Sequence, residues 1–131
     1  MQNKASKIYI IAGRSLLALY FLVPGIAKLL APASQVEMMQ HHNIPYALPL
    51  LYIAGIAQIA GALLLFANRY VRLVSLGFVL YIIAINVLMH DFWNFTGTEA
   101  AHELQNFIKN LGILAGLLVL AGISPKQKQA G

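Results

Sequence analysis

MHDFWNFTGTEAAHELQNFIKN, residues 89–110, is the stretch whose reading decides the fold. It holds three of the chain's four acids (Asp91, Glu99, Glu103), two of its four histidines (His90, His102) and its only tryptophan, Trp93. Long apolar runs flank it on both sides. The polarity continues past Leu104, where the last apolar run begins, because Lys109 follows five residues later. If that run crosses a membrane, Lys109 sits roughly 7 Å along it, at about 1.5 Å of rise per residue. Ionisable groups inside spanning segments are rare and mark function by default.

The whole chain shares this oiliness. Its 131 residues are 60% hydrophobic and 10% charged, with mean hydropathy +0.72. Soluble domains are roughly 45–50% apolar and about 25% charged. A soluble core of this size has no room for the surplus, so the lipid bilayer must solvate much of the surface. The absence of cysteine excludes disulfides, thiolate ligands, iron–sulfur clusters and a CxxC redox pair. Any redox role needs a borrowed cofactor. The net charge of +5 is spread over a small membrane protein and makes no nucleic-acid footprint. No nucleotide loop, nucleophile elbow or kinase signature occurs.

Working outward, the pattern predicts an all-α, integral membrane four-helix bundle forming one domain over residues 1–131. Its spans run over about 8–30, 46–67, 71–89 and 104–123, each long enough for a core of roughly 30 Å. Polar loops occupy 31–45 and 90–103. A secretory signal competes for the first span, since Ala31-Pro32-Ala33 imitates a cleavage site. The apolar region is too long for one, and Arg14 interrupts it. Pro24 should kink this helix and redirect Lys28. Val36, Met38 and Met39 suggest a short interfacial helix in the first loop. The basic tail from Lys126 is expected to be disordered.

Four spans place both termini on one side. That side carries Lys4, Lys7, Arg14, Arg69, Arg72, Lys126 and Lys128; the other carries only Lys28 and Lys109. Seven cations against two put both termini in the cytoplasm of a bacterial inner membrane. All acids and histidines then face outward. Gly112/Gly116 and Ala57/Gly61 are small-xxx-small pairs that predict close helix packing. Gly55-Ile-Ala-Gln-Ile-Ala-Gly61 faintly resembles Gly112-Ile-Leu-Ala-Gly116, but glycine and leucine are so frequent here that chance is the better explanation.

Glu99, His102, Asn106 and Lys109 recur at intervals of three and four, as do Glu103, Asn106 and Asn110. On a helix these make one polar stripe. Asparagines cannot snorkel and need partners, so the stripe is expected to face a pocket between spans one, three and four. Lys28 would join it, paired with Asp91, Glu37 or Glu103, and Asn86 and His90 lie one turn apart at the same level. Arg14, Glu103 and Asn110 are the structural polar residues. For a metal, His42, His90 and His102 are candidates by ligand type. No HxxxH, HxxE or HExxH spacing supports them, and adjacent His41 and His42 cannot both point inward on a helix, so neither metal nor haem is expected.

Gly13-Arg14-Ser-Leu-Leu-Ala-Leu-Tyr-Phe-Leu, Gly25-Ile-Ala-Lys28, His90-Asp91-Phe92-Trp93 and Asn106-Phe-Ile-Lys-Asn-Leu111 together resemble the DoxX family of small bacterial membrane proteins. The resemblance covers roughly residues 8–122. It implies four spans, cytoplasmic termini and an association with respiratory-chain and oxidative-stress systems, the family name deriving from a subunit of a quinone-linked oxidoreductase. It implies no catalytic residue, but Arg14, Lys28, His90, Asp91, Asn106, Lys109 and Asn110 fall in its motifs. The expected function is binding of a lipophilic polar-headed molecule, quinone or lipid, in an outward-facing pocket. Its ligand residues would be Lys28, Asn86, His90, Asp91, His102, Asn106 and Lys109. An oxidoreductase partner and a homo-oligomer are the expected assemblies. A solute or proton path, or a ligand-free scaffold, is the alternative.

Overall fold

The computed structural model describes residues 3–125. The tail with Lys126 and Lys128 lies outside them. Five α-helices follow in order: α1 (Lys4–Leu30), α2 (Ala33–His41), α3 (Ala47–Phe66), α4 (Val71–Leu88) and α5 (Gly97–Ile123). One 3₁₀ turn, Phe92–Asn94, sits between α4 and α5. α1, α3, α4 and α5 are long and apolar enough to cross a membrane, and α2 is the short helix expected between the first two spans. The protein is an all-α membrane bundle.

Local chemistry explains the ends of these helices. Asn3 caps α1 by accepting from the Ser6 amide at 2.8 Å, which satisfies one of the donors a helix start leaves open. α1 then runs unbroken through Pro24. α5 begins at Gly97, seven residues before the apolar run that marks the span in the sequence. Hydropathy locates where a helix turns oily, not where it starts. Glu99 in the first turn of α5 complements the positive end of the helix dipole.

Lipid supplies no hydrophobic force between helices, so close contact must come from small residues and polar bonds. The tightest approach pairs α1 with α3. A Cβ on Gly55 would lie 3.0 Å from the Gly25 carbonyl oxygen and 3.1 Å from Lys28 Cβ. The glycines of this crossing differ from those the sequence pattern picked. A Cβ on Gly112 would meet nothing within 4 Å, and Gly116 finds only Leu17 at 3.8 Å. Gly61 does pack closely, but against a side chain: its missing Cβ would fall 2.6 Å from the Phe78 ring. Phe78 in turn stacks on Phe21, with centroids 3.8 Å apart and planes 6° from parallel. Ala18, Ala62, Leu65, Ile82 and Leu117 close around this pair as the core.

The end that carries the termini is fixed by two arginines. Arg14 Nε donates to the Leu65 carbonyl at 2.8 Å, and Arg72 Nε donates to the Ala121 carbonyl at 3.1 Å. Each bond runs from the first long helix of a hairpin to a carbonyl in the last turn of the second, which also accepts a turn amide, from Asn68 at Leu65 and from Ser124 at Ala121. They span 51 and 49 residues of sequence, so the two hairpins repeat one device.

Gly55→Leu is expected to destabilise the bundle by about 1–3 kcal/mol, the usual cost of overpacking, whereas Gly112→Leu should change it by less than about 0.5 kcal/mol. Thermal unfolding in a fixed detergent, followed by circular dichroism, checks the contrast.

Candidate functional site

Polar side chains concentrate at the opposite end, around the stretch that opens the sequence reading. His42 caps the C-terminus of α2 and is buried, its side chain only 1% exposed. Its Nδ1 lies 2.6 Å from Asp91 Oδ1 and its Nε2 lies 3.2 Å from Glu103 Oε2. The other oxygen of Glu103 meets His90 Nδ1 at 2.8 Å, and the other oxygen of Asp91 accepts from Asn94 Nδ2 at 2.7 Å. The result is a chain, Asn94–Asp91–His42–Glu103–His90, that ties α2 to α5 and to the segment after α4. His41 adds an exposed contact to Glu99 at 2.6 Å.

Asp91 lies beyond the end of α4, outside the spans. Burial works to raise its pKa, but the hydrogen bonds from Asn94 and His42 outweigh burial and hold the carboxyl below its ordinary value. A lowered native pKa stabilises the fold above the ordinary carboxylate range. That contribution is lost as the pH falls through the lowered value.

A second polar layer lies deeper. Asn110 Nδ2 donates to Asn86 Oδ1 at 3.0 Å, Asn86 Nδ2 donates to the Phe107 carbonyl at 3.2 Å, and the Tyr20 hydroxyl donates to Asn110 Oδ1 at 3.3 Å. On the other side of the bundle the Tyr81 hydroxyl donates to Gln58 Oε1 at 2.8 Å, and Gln58 Nε2 donates to the Phe21 carbonyl at 3.0 Å. These bonds join α1 to α5, α5 to α4, α4 to α3 and α3 to α1.

The candidate residues therefore divide. Asn86, His90, Asp91, Glu103 and Asn110 converge in the interior. Asn106 is half-buried on the same face of α5, whereas His102 and Lys109 are exposed on another. The two overlapping stripes of α5 are distinct, and it is Glu103 and Asn110 that turn inward. Lys28 is half-buried against α3 at Gly55 and makes no ion pair among the described residues. Two of the expected lysine partners, Asp91 and Glu103, are held by His42, which α2 delivers to them, and Glu37 is exposed with no ion pair among the described residues. Both histidines of the His41–His42 pair meet acids, since His42 stands just past the helix end, where the rule against neighbours sharing a face lapses. Among the described residues no three histidine or acidic side chains are grouped as a metal site requires. His42, Asn94 and the Tyr81–Gln58 pair escaped the list of ligand residues. The one available signal was that acids and histidines both gather in the two loops of this end.

Fold and site together define a small multi-pass membrane protein whose polar groups are spent on joining its helices. The chain belongs to the DoxX family, whose model matches residues 9–91. It is similar to inner membrane protein YphA of Escherichia coli (strain K12), 25% identical over 121 residues, with 92% of this chain and 86% of that protein covered. That alignment reaches into α5, beyond the family model's match. No solved structure matches the chain. It is a multi-pass inner-membrane protein.

Removing His42 would leave two buried carboxylates facing each other. His42→Ala is expected to cost about 3–5 kcal/mol, the penalty for breaking a buried pair, while His41→Ala at the exposed contact should cost under about 1 kcal/mol. Detergent-phase unfolding midpoints measure both, and equal effects would show that the buried chain through His42 does not hold the fold.

Proposed function

We propose that the protein binds a lipophilic molecule with a polar head, a quinone or a lipid, along the seam where α3 and α4 part, and serves as membrane partner of an oxidoreductase. The observation that carries this is a cleft of about 260 Å³ between these helices, lined by Ala54, Ala57, Gly61, Val74, Gly77 and Phe78, with Gln58 and Tyr81 as its polar atoms. α3 and α4 are joined by a short turn yet pack far more loosely than α1 with α3 or α4 with α5. Ligand sites are mostly apolar with a few placed polar groups, and this cleft has that make-up. It takes one ring or a stretch of chain, leaving the remainder of the ligand in the bilayer. The Tyr81 hydroxyl already donates to Gln58, but its oxygen can accept, and the pair can re-pair to donate to a carbonyl.

This location differs from the pocket read from the sequence, whose inward residues satisfy one another. Lys28, His102 and Lys109 are the residues left to meet a head group or the lipid surface at that end. The oxidoreductase partner follows from what the DoxX resemblance implies about respiratory systems. The seven-to-two distribution of cations supports cytoplasmic termini.

Gly77→Phe tests the cleft, because an added Cβ there meets nothing within 4 Å and the fold should survive. Solvent extracts of the purified full-length protein are analysed by mass spectrometry for quinone and lipid. The wild type is expected to carry a near-stoichiometric ligand, and the variant at least about tenfold less, a change of about 1.4 kcal/mol. Equal loading, or an empty wild type, would sink the proposal. Orientation is read separately with single cysteines in this cysteine-free chain. An impermeant maleimide added outside intact cells' inner membranes should label Thr98→Cys and spare Ser6→Cys.

A further inference from the structure

The end of the bundle that carries the termini has its own cleft, of about 300 Å³, between the start of α1 and the end of α5. Lys7, Arg14 and Asn68 line it together with Ile11, Leu120 and Ile123. Arg14 is half-buried and held in place by its Nε bond to the Leu65 carbonyl. A guanidinium has five N–H donors, and the remaining four make no hydrogen bond among the described residues. Lys7 stands seven residues earlier, two turns away on nearly the same face of α1. Among the described residues no carboxylate balances these cations. Glu37 lies on α2, and Asp91, Glu99 and Glu103 lie at or after the α4–α5 connection, all at the far end of the bundle. The Ser124 hydroxyl, also at the rim, is spent on the Leu120 carbonyl at 2.6 Å.

We propose that this cleft binds the phosphate of an anionic phospholipid. The free edge of the Arg14 guanidinium receives two phosphate oxygens in the forked geometry that suits it. Lys7 adds a second charge from the membrane surface, its flexible stem reaching toward Arg14 across roughly 10 Å of helix. One acyl chain lies along Ile11, Leu120 and Ile123. A basic pocket between spanning helices at the membrane face is the setting in which anionic head groups are recognised. The chemistry is the same whichever face of the membrane this end meets. The site shares no lining residue with the α3–α4 seam, so either can fail alone.

Native mass spectrometry of the full-length protein in mild detergent provides the test, with phosphatidylglycerol, phosphatidylcholine and inorganic phosphate as probes. The wild type is expected to retain phosphatidylglycerol and release phosphatidylcholine. Lys7→Gln, an exposed side chain with no other bond among the described residues, should bind phosphatidylglycerol about fivefold more weakly, the effect expected of one cation near a membrane surface. Ile11→Trp fills the cleft without replacing either charged residue and should weaken binding at least as much. Displacement of the lipid by inorganic phosphate at matching concentration would overturn the lipid assignment. Equal retention of both lipids, or variants that bind like the wild type, would overturn the site itself.

Discussion

The constraint on which everything else rests is that lipid offers these helices no hydrophobic reason to meet. Leu16, Leu73 and Val119 are as comfortable against acyl chains as against each other, and all three point outward. Association must then be supplied by backbone proximity and by polar groups that lipid cannot satisfy. The protein uses both, at different places. Gly25 and Gly55 let α1 and α3 touch at the backbone. Tyr20, Asn110, Asn86, Tyr81 and Gln58 supply the bonds that close the square of four helices. Each such bond in a membrane bundle contributes only about 0.6 kcal/mol on average. Their value lies in number and in the fact that each has one partner geometry, which selects this arrangement among many greasy alternatives.

The two ends of the bundle are finished with different chemistry. At one end, carboxylates and imidazoles bond to one another, so their hydrogen-bonding capacity is used within the protein. At the other end, arginines answer backbone carbonyls. A carbonyl fixes the guanidinium without neutralising it, and Arg14 and Arg72 keep their full charge while holding helix ends together. Among the described residues that other end carries Lys4, Lys7, Arg14, Arg69 and Arg72 and none of the four acids. The proposed orientation and the proposed lipid site both rest on that imbalance.

How much of this could be read from the sequence depended on which periodicity carried the information. The four spans were legible because hydropathy over about 20 residues is a strong signal. The start of α5 was not, because Gly97–Glu103 is helical but polar. The division of α5 into an inward and an outward stripe was ambiguous for a geometric reason. Lys109 and Asn110 are adjacent and lie about 100° apart, so intervals of three and four accept either as the inner residue. The sequence pattern favoured the lysine for its charge; the fold buries the asparagine, which can be satisfied without desolvating an ion. His42 was hidden more thoroughly, since its role depends on α2 folding back over α5, and no local pattern encodes a contact between residues 42 and 103. The glycine crossing was missed because Gly25 and Gly55 are on different helices, and pairs within one helix are all that a spacing search can find.

The two hairpins share their Arg–carbonyl clasp, and fourteen residues beyond each arginine lies another polar side chain: Lys28 after Arg14, Asn86 after Arg72. That correspondence gives the faint glycine resemblance between α3 and α5 a structural counterpart. It also shows where the halves diverge. Asn86 is buried and bonded to α5, whereas Lys28 is half-buried and unpaired among the described residues. Only the first hairpin carries an inserted helix, α2, and only that insert brings histidines to the acids of the second. The clasp serves the architecture both hairpins need. Lys28 and the α2 insert with His42 belong to the first hairpin alone, and the loose seam between α3 and α4 lies where the two hairpins meet. A function beyond holding four helices together is therefore to be sought on the first hairpin and where it faces the second.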